Sequence, residues 1–265
     1  MKKCWDRKSP EGSVLIHLIF SLFLTANLHA TINKDAIKQD LLQKYLTTYS
    51  DTKQLTNLKQ ETIKHGGESV SALIEVMKNG KYPEKNRWVA TFLLGEIMGD
   101  KSAPFLAKFF RHPSWVMRMA SLKTMLALKQ KNYGAQYAML LSDDSLIVRA
   151  QALENIRQLG IKNLGPQVWS MLYDKRNYYQ PTLNGKTLKF KRTNLIKSAI
   201  ITVGELRFEQ AKDPLFKMIQ KERYVDIFPE MELALSNITG KNSPAKGDLK
   251  VKRLFWQRIS LDRNF

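Results

Sequence analysis

Apolar residues recur along most of the chain at the three- and four-residue spacing of amphipathic helices, and no alternating run is long enough for a core strand. The clearest example is SLIVRAQALENIRQL at residues 145–159. Its expected apolar face consists of Ile147, Val148, Leu153 and Ile156. Asp144 precedes this segment as the expected N-cap, and Gly160 follows as the expected C-cap.

The helical pattern repeats at a fixed interval. Arg87, Arg118 and Arg149 lie 31 residues apart, and so do the small residues Ala90, Ser121 and Ala152. Each period holds two helical segments: 84–98 with 103–110, 114–128 with 133–141, and 145–159 with 165–173. A fourth copy at 199–206 arrives 47 residues after Ala152, which indicates an insertion. Because one helix pair cannot bury its apolar face alone, the pairs are expected to stack.

Three segments, WVATFLLGEIMGD at 88–100, DDSLIVRAQALENIRQLG at 143–160 and AIITVGEL at 199–206, resemble the HEAT repeat family. The resemblance is to its short form, also seen in phycobilisome-lyase-like repeat proteins. It implies an all-α fold, an α-solenoid of stacked antiparallel helix pairs, and a scaffold or binding role in most members. The copy at 117–133 departs from the pattern, because it has Met125-Leu126 in place of Leu-Gly.

Four regions follow from these patterns. Residues 1–30 read as a signal peptide and residues 31–66 as an N-terminal helical cap with helices at 35–48 and 55–65. Residues 67–240 form the repeat array, which contains a basic insertion at 174–192. Residues 241–265 are expected to form a loop followed by a small apolar cap around Trp256.

The N-terminal segment predicts export. Four basic residues precede the uncharged apolar run at 14–26, and the small residue Ala30 ends the segment, as in a secretory signal peptide. The run is shorter than the roughly 20 apolar residues of a membrane-spanning helix. We expect a periplasmic or secreted protein, with an uncleaved membrane tether as the alternative. Cleavage after Ala30 would also remove Cys4, the only cysteine.

Composition narrows the class of partner. The 265-residue chain is 43% hydrophobic, enough for a folded core, and carries a net charge of +19. Cleavage after Ala30 removes four basic and two acidic residues, which lowers this charge to +17. So basic a chain favours an acidic protein, an acidic envelope polymer or an anionic membrane surface. Nucleic acid binding, including binding of the DNA-repair type, is the alternative, and the signal peptide counts against it.

The insertion at 174–192 is the main candidate for partner binding, alone or together with a concave face of the array. Asn184-Gly185 predicts a two-residue hairpin turn, and six basic residues accompany the single acid Asp174. The candidate residues are Lys175, Arg176, Tyr178, Tyr179, Lys186, Lys189, Lys191 and Arg192. Interleaved cations and aromatic rings suit an acidic partner. The structural alternative is that the insertion folds over its neighbouring helices with its rings packed.

The other prominent residues are expected to serve the fold. The three aligned arginines are expected to bond to an Asp or a carbonyl of the adjoining turn, with Asp143 or Asp144 as the partner of Arg149. Among the tryptophans of the array, Trp115 has the best prospect of exposure, because it lies at a helix start.

The sequence also predicts that the chain is not an enzyme and uses no cofactor or metal. Only His65 and His112 would remain after cleavage, and no cysteine would remain as a nucleophile. Phosphate-binding glycine loops and paired metal-ligand motifs are not found. Two alternatives stay open: a hydrolase that uses carboxylates alone, and a lyase-like enzyme or its chaperone by analogy with the repeat type.

Export is tested by expressing the full chain with a C-terminal tag and fractionating the cells. We expect the recovered protein to begin near Thr31 and to lie in the exported fraction, with mass spectrometry identifying its first residue. Full-length protein in a membrane would indicate the uncleaved tether. Full-length protein in the soluble cytoplasm would contradict export and would favour nucleic acid as the partner.

Overall fold

The computed structural model describes residues 34–49, 51–184, 186–187 and 191–262, so the expected signal peptide lies outside the described residues. The α-helices are α1 (34–46), α2 (Thr52–His65), α3 (Val70–Lys78), α4 (Glu84–Met98), α5 (Ala103–Lys108), α6 (Trp115–Ala127), α7 (Gly134–Leu140), α8 (Leu146–Gln158), α9 (Gly165–Ser170), α10 (Asn194–Glu205), α11 (Lys212–Ile219), α12 (Phe228–Thr239) and α13 (Leu249–Leu261). The strands are β1 (Tyr178–Tyr179), β2 (Thr182–Leu183), β3 (Lys186–Thr187) and β4 (Lys191–Arg192).

The chain divides into two compact units, Met1–Met98 and Gly99–Phe265. In the first unit, α3 packs against α4, and α2 contacts the same helix. The end of α1 is held by Asn86 of α4, whose side-chain amide donates to the carbonyl of Tyr45 at 2.7 Å. Arg87 donates to the carbonyl of Met77 at the end of α3, with an Nη2 to oxygen distance of 2.9 Å.

The second unit has two layers. The long helices α6, α8, α10 and α12 pack side by side in chain order. The shorter helices α5, α7, α9 and α11 each pack against the long helix that follows them. A short 3-10 turn precedes each of these four shorter helices, at Gly99–Ser102, Lys131–Tyr133, Lys162–Leu164 and Glu209–Ala211. This arrangement confirms the predicted all-α, α-solenoid fold of stacked helix pairs.

The starts of α6 and α8 are equivalent, and they correct one expectation. Ser114 and Ser145, 31 residues apart, are the N-cap residues with extended backbone. Asp144 is therefore not the N-cap of α8. The turn is fixed by the preceding residue Asp143, whose Oδ1 accepts from the backbone N–H of Ser145 at 2.8 Å. At the other end Gly160 has a φ of +61°, which ends the helix in the left-handed conformation.

The small residues of the repeat lie where helices approach closely. Ala90, Ser121, Ala152 and Ala199 are all completely buried. The tightest approach is at Gly204 of α10, where a Cβ atom would lie 2.4 Å from the Cα of Ala234 in α12. Any side chain there would force the two backbones apart.

The chain closes with a helix that the sequence patterns did not specify. α13 packs against α11 and buries Trp256 completely. The Trp256 ring lies 6.3 Å from the ring of Phe216, centroid to centroid. The expected apolar cap around Trp256 is thus a 13-residue helix.

The close approach of α10 and α12 makes Gly204→Ala a destabilising change. We expect it to lower the free energy of unfolding by about 2 kcal/mol because the backbones must separate, although alanine favours helix formation. Urea denaturation measures the effect. Gly134→Ala is the control, because its added Cβ meets only the Ile161 and Leu164 side chains at 3.4 and 3.7 Å. Equal stability of the two variants would contradict the close packing.

Candidate partner-binding site

The insertion forms the hairpin that the Asn-Gly pair predicts. β2 pairs with β3 across the turn, and β1 pairs with β4 below it, with Tyr178 opposite Arg192 and Tyr179 opposite Lys191. Asn184 has a φ of +50°, the left-handed conformation that such a turn requires. The two paired segments make the insertion a short antiparallel ribbon that emerges between α9 and α10.

Arg149 of α8 holds the base of this ribbon. Its side chain is 2% exposed, and its Nε donates to Oδ1 of Asn177 at 2.8 Å. Nη1 donates to the carbonyls of Asp143 and Asp144, at 2.7 and 3.0 Å, and Nη2 donates to the carbonyl of Arg176 at 3.0 Å. The predicted structural role of Arg149 is confirmed. Its partners are backbone carbonyls and an amide oxygen, however, and neither aspartate side chain accepts from it.

The Asp143 side chain pairs instead with Arg118, the equivalent arginine of the preceding repeat. Arg118 of α6 contacts it in a two-point ion pair, with Nε 2.7 Å from Oδ2 and Nη2 2.8 Å from Oδ1. A further bond joins α6 directly to α8, because the buried Asn155 amide of α8 donates to the carbonyl of Leu122 in α6 at 2.8 Å. Successive repeats are therefore joined by polar contacts through their long helices.

Asn177 is the residue at the insertion base that the sequence patterns missed. It is completely buried, and its side-chain amide donates to the carbonyl of Met171 at 2.9 Å. Its own carbonyl accepts from the hydroxyl of Thr193 at 2.7 Å, across the base of the ribbon. Its position 28 residues after Arg149 gives no repeat signal, since it lies in the insertion.

Two of the candidate cations are committed to neighbours. Arg176 pairs with Asp174 at 2.7 Å, and hydrogen bonds from Arg176 hold the pKa of the Asp174 carboxyl below its usual range. Arg192 pairs with Asp226 at 2.8 Å and lies 4.8 Å from the centre of the Tyr224 ring. The Arg192 contacts fix the stem of the ribbon against the rest of the unit, whereas the Arg176–Asp174 pair lies within the insertion.

Three other candidate cations point to solvent. Lys175, Lys186 and Lys191 are exposed and form no ion pair with the described residues. Lys189 lies outside the described residues. The charges of Lys175, Lys186 and Lys191 therefore remain accessible to a partner.

The two tyrosines of β1 have different environments. Tyr178 is half-buried, and its hydroxyl donates to the carbonyl of Leu172 at 2.6 Å. Tyr179 is 49% exposed. The structural alternative of packed rings thus describes Tyr178, whereas Tyr179 is available for contact.

A groove of about 840 Å³ lies beside the stem, between α8 and α10. Leu146, Ile147 and Ala150 of α8 line it, with Ile201 of α10 opposite and Tyr179 at its end. The groove lies where α8 contacts α10 less extensively than α6 contacts α8, at the junction of repeats that contains the insertion. The result is an open, largely apolar groove that ends at Tyr179, the cross-strand neighbour of the exposed Lys191.

The opposite end of the groove carries a charged cluster. Arg157 donates to both oxygens of Glu154, at 2.7 and 2.8 Å, and reaches Glu205 of α10 at 3.2 Å. Hydrogen bonding from Arg157 lowers the pKa of Glu154. The cluster links α8 to α10.

Ile147 corrects another expectation. Its position in the apolar pattern placed it in the core, but it is 51% exposed and lines the groove. Val148 and Ala152 are completely buried, so the core face of α8 runs through them. The signal was present in the sequence: Leu146 and Ile147 widen the apolar face of α8 beyond a single stripe. Trp115, 31 residues before Leu146, is 45% exposed, which confirms its predicted exposure.

Two further features of the described residues concern membranes and metal ions. None of their helices has the length and apolar character needed to cross a bilayer. No three His, Cys, Asp or Glu side chains within this part of the chain lie together as they would to hold a metal ion.

The bonds of Arg149 make it the residue on which the insertion depends. We expect Arg149→Met to lower the free energy of unfolding by about 3 kcal/mol, because it leaves buried acceptors without a donor. The Thr193 amide, which donates to Asn177 across the ribbon base, should also lose hydrogen-exchange protection. Arg111→Met, at an exposed arginine, is the control. Similar losses in both variants would contradict the assigned role.

No protein-family model matches the chain, and no curated protein matches it. Among solved structures, it is similar to the complex of CpcE and CpcF of phycocyanin lyase from Nostoc sp. PCC7120. The identity is 13%, the TM-score is 0.41, and the match covers 84% of this chain and 94% of that chain. At this TM-score the similarity carries no argument about partners or residues.

The comparison does contradict one expectation. The similar structure is a complex of phycocyanin lyase, an enzyme, and this contradicts the prediction that the present chain is not an enzyme. The similarity assigns no reaction to this chain. What the structure itself supports is a HEAT-like helical-repeat protein that carries a basic hairpin insertion and an apolar groove beside it.

Proposed function

We propose that the protein is an exported helical-repeat scaffold that binds an acidic protein or an acidic envelope polymer through its insertion at 174–192. The observation that carries this proposal is the set of exposed lysines, Lys175, Lys186 and Lys191, on a ribbon whose base is fixed by the buried Arg149. A fixed ribbon presents its charges in a defined arrangement, so less ordering free energy is lost on binding.

The electrostatics of the insertion favour an acidic partner specifically. Asp174 is its only acidic residue, and Arg176 already neutralises it. The partners of the other stem cation, Arg192, come from outside the insertion. Exposed cations that form no ion pair raise the rate of encounter with anionic partners and reject cationic ones.

The exposed ring of Tyr179 adds contact area to this charge. It lies on β1, opposite Lys191 on β4, so that a cation and an amphipathic ring share one surface. Tyrosine contributes large contact area at low entropic cost, which is why it is enriched in binding surfaces. A partner with carboxylate groups and apolar groups would match both the lysine charges and the Tyr179 ring.

The export part of the proposal rests on the basic start, the apolar run at 14–26 and the small residue at Ala30. It directs the search for the partner to the cell envelope. Nucleic acid is the competing ligand, because it is anionic like the proposed acidic partner, and the binding experiment therefore also includes duplex DNA.

The test compares two triple charge reversals with the same change in net charge. One carries Lys175→Glu, Lys186→Glu and Lys191→Glu in the insertion. The control carries Lys123→Glu, Lys131→Glu and Lys162→Glu, at exposed lysines of other repeats. We expect the insertion variant to bind a fluorescent poly-glutamate peptide about tenfold more weakly than the control variant, measured by anisotropy at physiological salt.

Equal losses in the two variants would mean that the affinity reflects net charge alone, and they would overturn the proposal. Duplex DNA is titrated in parallel across a range of salt concentrations. DNA binding that is tighter than peptide binding at physiological salt and falls in the insertion variant would assign the surface to nucleic acid.

A further inference from the structure

We infer that the groove between α8 and α10 binds an amphipathic helix of the partner protein, with the acidic last turn of that helix beside the insertion. The inference rests on the proposed function and specifies it, because it names a protein segment as the ligand. Three features of the groove carry it: its length, its exposed apolar lining and the opposite charges at its two ends.

The groove follows the full length of α8. Its lining begins at Leu146, the first residue of that helix, and continues through Ala150 to Arg157 in the last turn. Thirteen residues of α-helix span about 20 Å. A helix of three to four turns would match this length.

The lining residues are spaced as in a helix-packing surface. Leu146, Ala150 and Leu153 follow the i, i+4, i+7 pattern along α8. Ser198 and Ile201 of α10 face them with a three-residue step. Ridges with these intervals accept the side chains of a third helix, and an amphipathic helix in such a groove buries its apolar stripe.

The first turn of α8 has apolar area with no cover. Leu146 is 44% exposed and Ile147 is 51% exposed. Two neighbouring apolar residues this open, at the mouth of a groove, are typical of an interaction site. Tyr179, at the same end, extends that surface onto the ribbon.

The charges at the two ends differ and so determine an orientation. At the insertion end, Arg192 is paired with Asp226, but Lys191 is exposed and forms no ion pair with the described residues. The N-termini of α8 and α10 lie at the same end, where their helix dipoles add positive potential. At the other end, Arg157 is balanced by two carboxylates, Glu154 and Glu205. A bound helix would therefore place its C-terminus and acidic residues at the insertion end, antiparallel to α8 and α10.

The probes are two synthetic amphipathic peptides of identical composition. Both have leucines at the i, i+4, i+7 and i+11 positions. The first has lysines in its first turn and glutamates in its last turn, and the second has these charges reversed. We expect the first peptide to bind the full-length protein about tenfold more tightly than the second, measured by fluorescence anisotropy.

Two matched variants locate the binding. Leu146→Asp and Trp115→Asp each place an acid at the first residue of a long helix, where the helix dipole favours negative charge. The two positions differ in that only Leu146 lines the groove. We expect Leu146→Asp to weaken binding of the first peptide at least about tenfold, and Trp115→Asp to leave it unchanged. Circular dichroism verifies that both variants fold.

Equal affinity for the two peptides would overturn the inference, and so would equal effects of the two variants on binding of the first peptide. A third contradicting result is that neither peptide binds, while vesicles containing anionic lipid bind tightly and Leu146→Asp abolishes that binding. Its failure is distinguishable from failure of the proposed function. If the insertion variant loses poly-glutamate binding but Leu146→Asp leaves peptide binding intact, only the groove assignment fails. If Leu146→Asp weakens the peptide but the two lysine triples behave alike, only the insertion assignment fails.

Discussion

The structure of the insertion and of its junction with α8 depends on the burial of one guanidinium group, that of Arg149. A buried arginine is stable only when acceptors surround it, and here three backbone carbonyls and the Asn177 side chain supply them. Those acceptors come from the turn before α8 and from the first residues of the insertion. Satisfying one charge therefore fixes where the inserted chain leaves the repeat array, and through Asn177 and Thr193 it also fixes where the chain returns.

The groove follows from that constraint. Neighbouring long helices elsewhere in the second unit approach closely enough for Gly204 to lie almost in contact with the backbone of α12. The insertion lies at the junction of the repeats that contain α8 and α10, and these two helices pack less extensively than α6 and α8 do. Arg157 maintains the link at the far end through Glu154 and Glu205. An interruption in a regular array thus creates a surface that the regular repeats do not have.

The charges of this region fall into two groups with separate roles. Arg118, Arg149 and Arg157 are held by acceptors of neighbouring elements and join the repeats. Lys175, Lys186 and Lys191 face solvent on the ribbon. The division follows side-chain chemistry, because the planar guanidinium bonds several acceptors at once whereas the lysine ammonium is a compact, well-hydrated charge.

The sequence by itself determined the repeat architecture. A 31-residue recurrence of arginine and small residues, with helical apolar spacing, fixes which faces are buried, and Asn184-Gly185 fixes a turn through its backbone preference. Only the tertiary structure decided the groove. The helix-start position shared by Trp115 and Leu146 is open in both repeats, but the groove beside Leu146 depends on the looser packing of α8 against α10, which no sequence pattern specified. The partners of Arg149 and Arg157 were likewise decided by the tertiary structure, because Asn177 and Glu205 lie 28 and 48 residues away along the chain from the arginines that they bond.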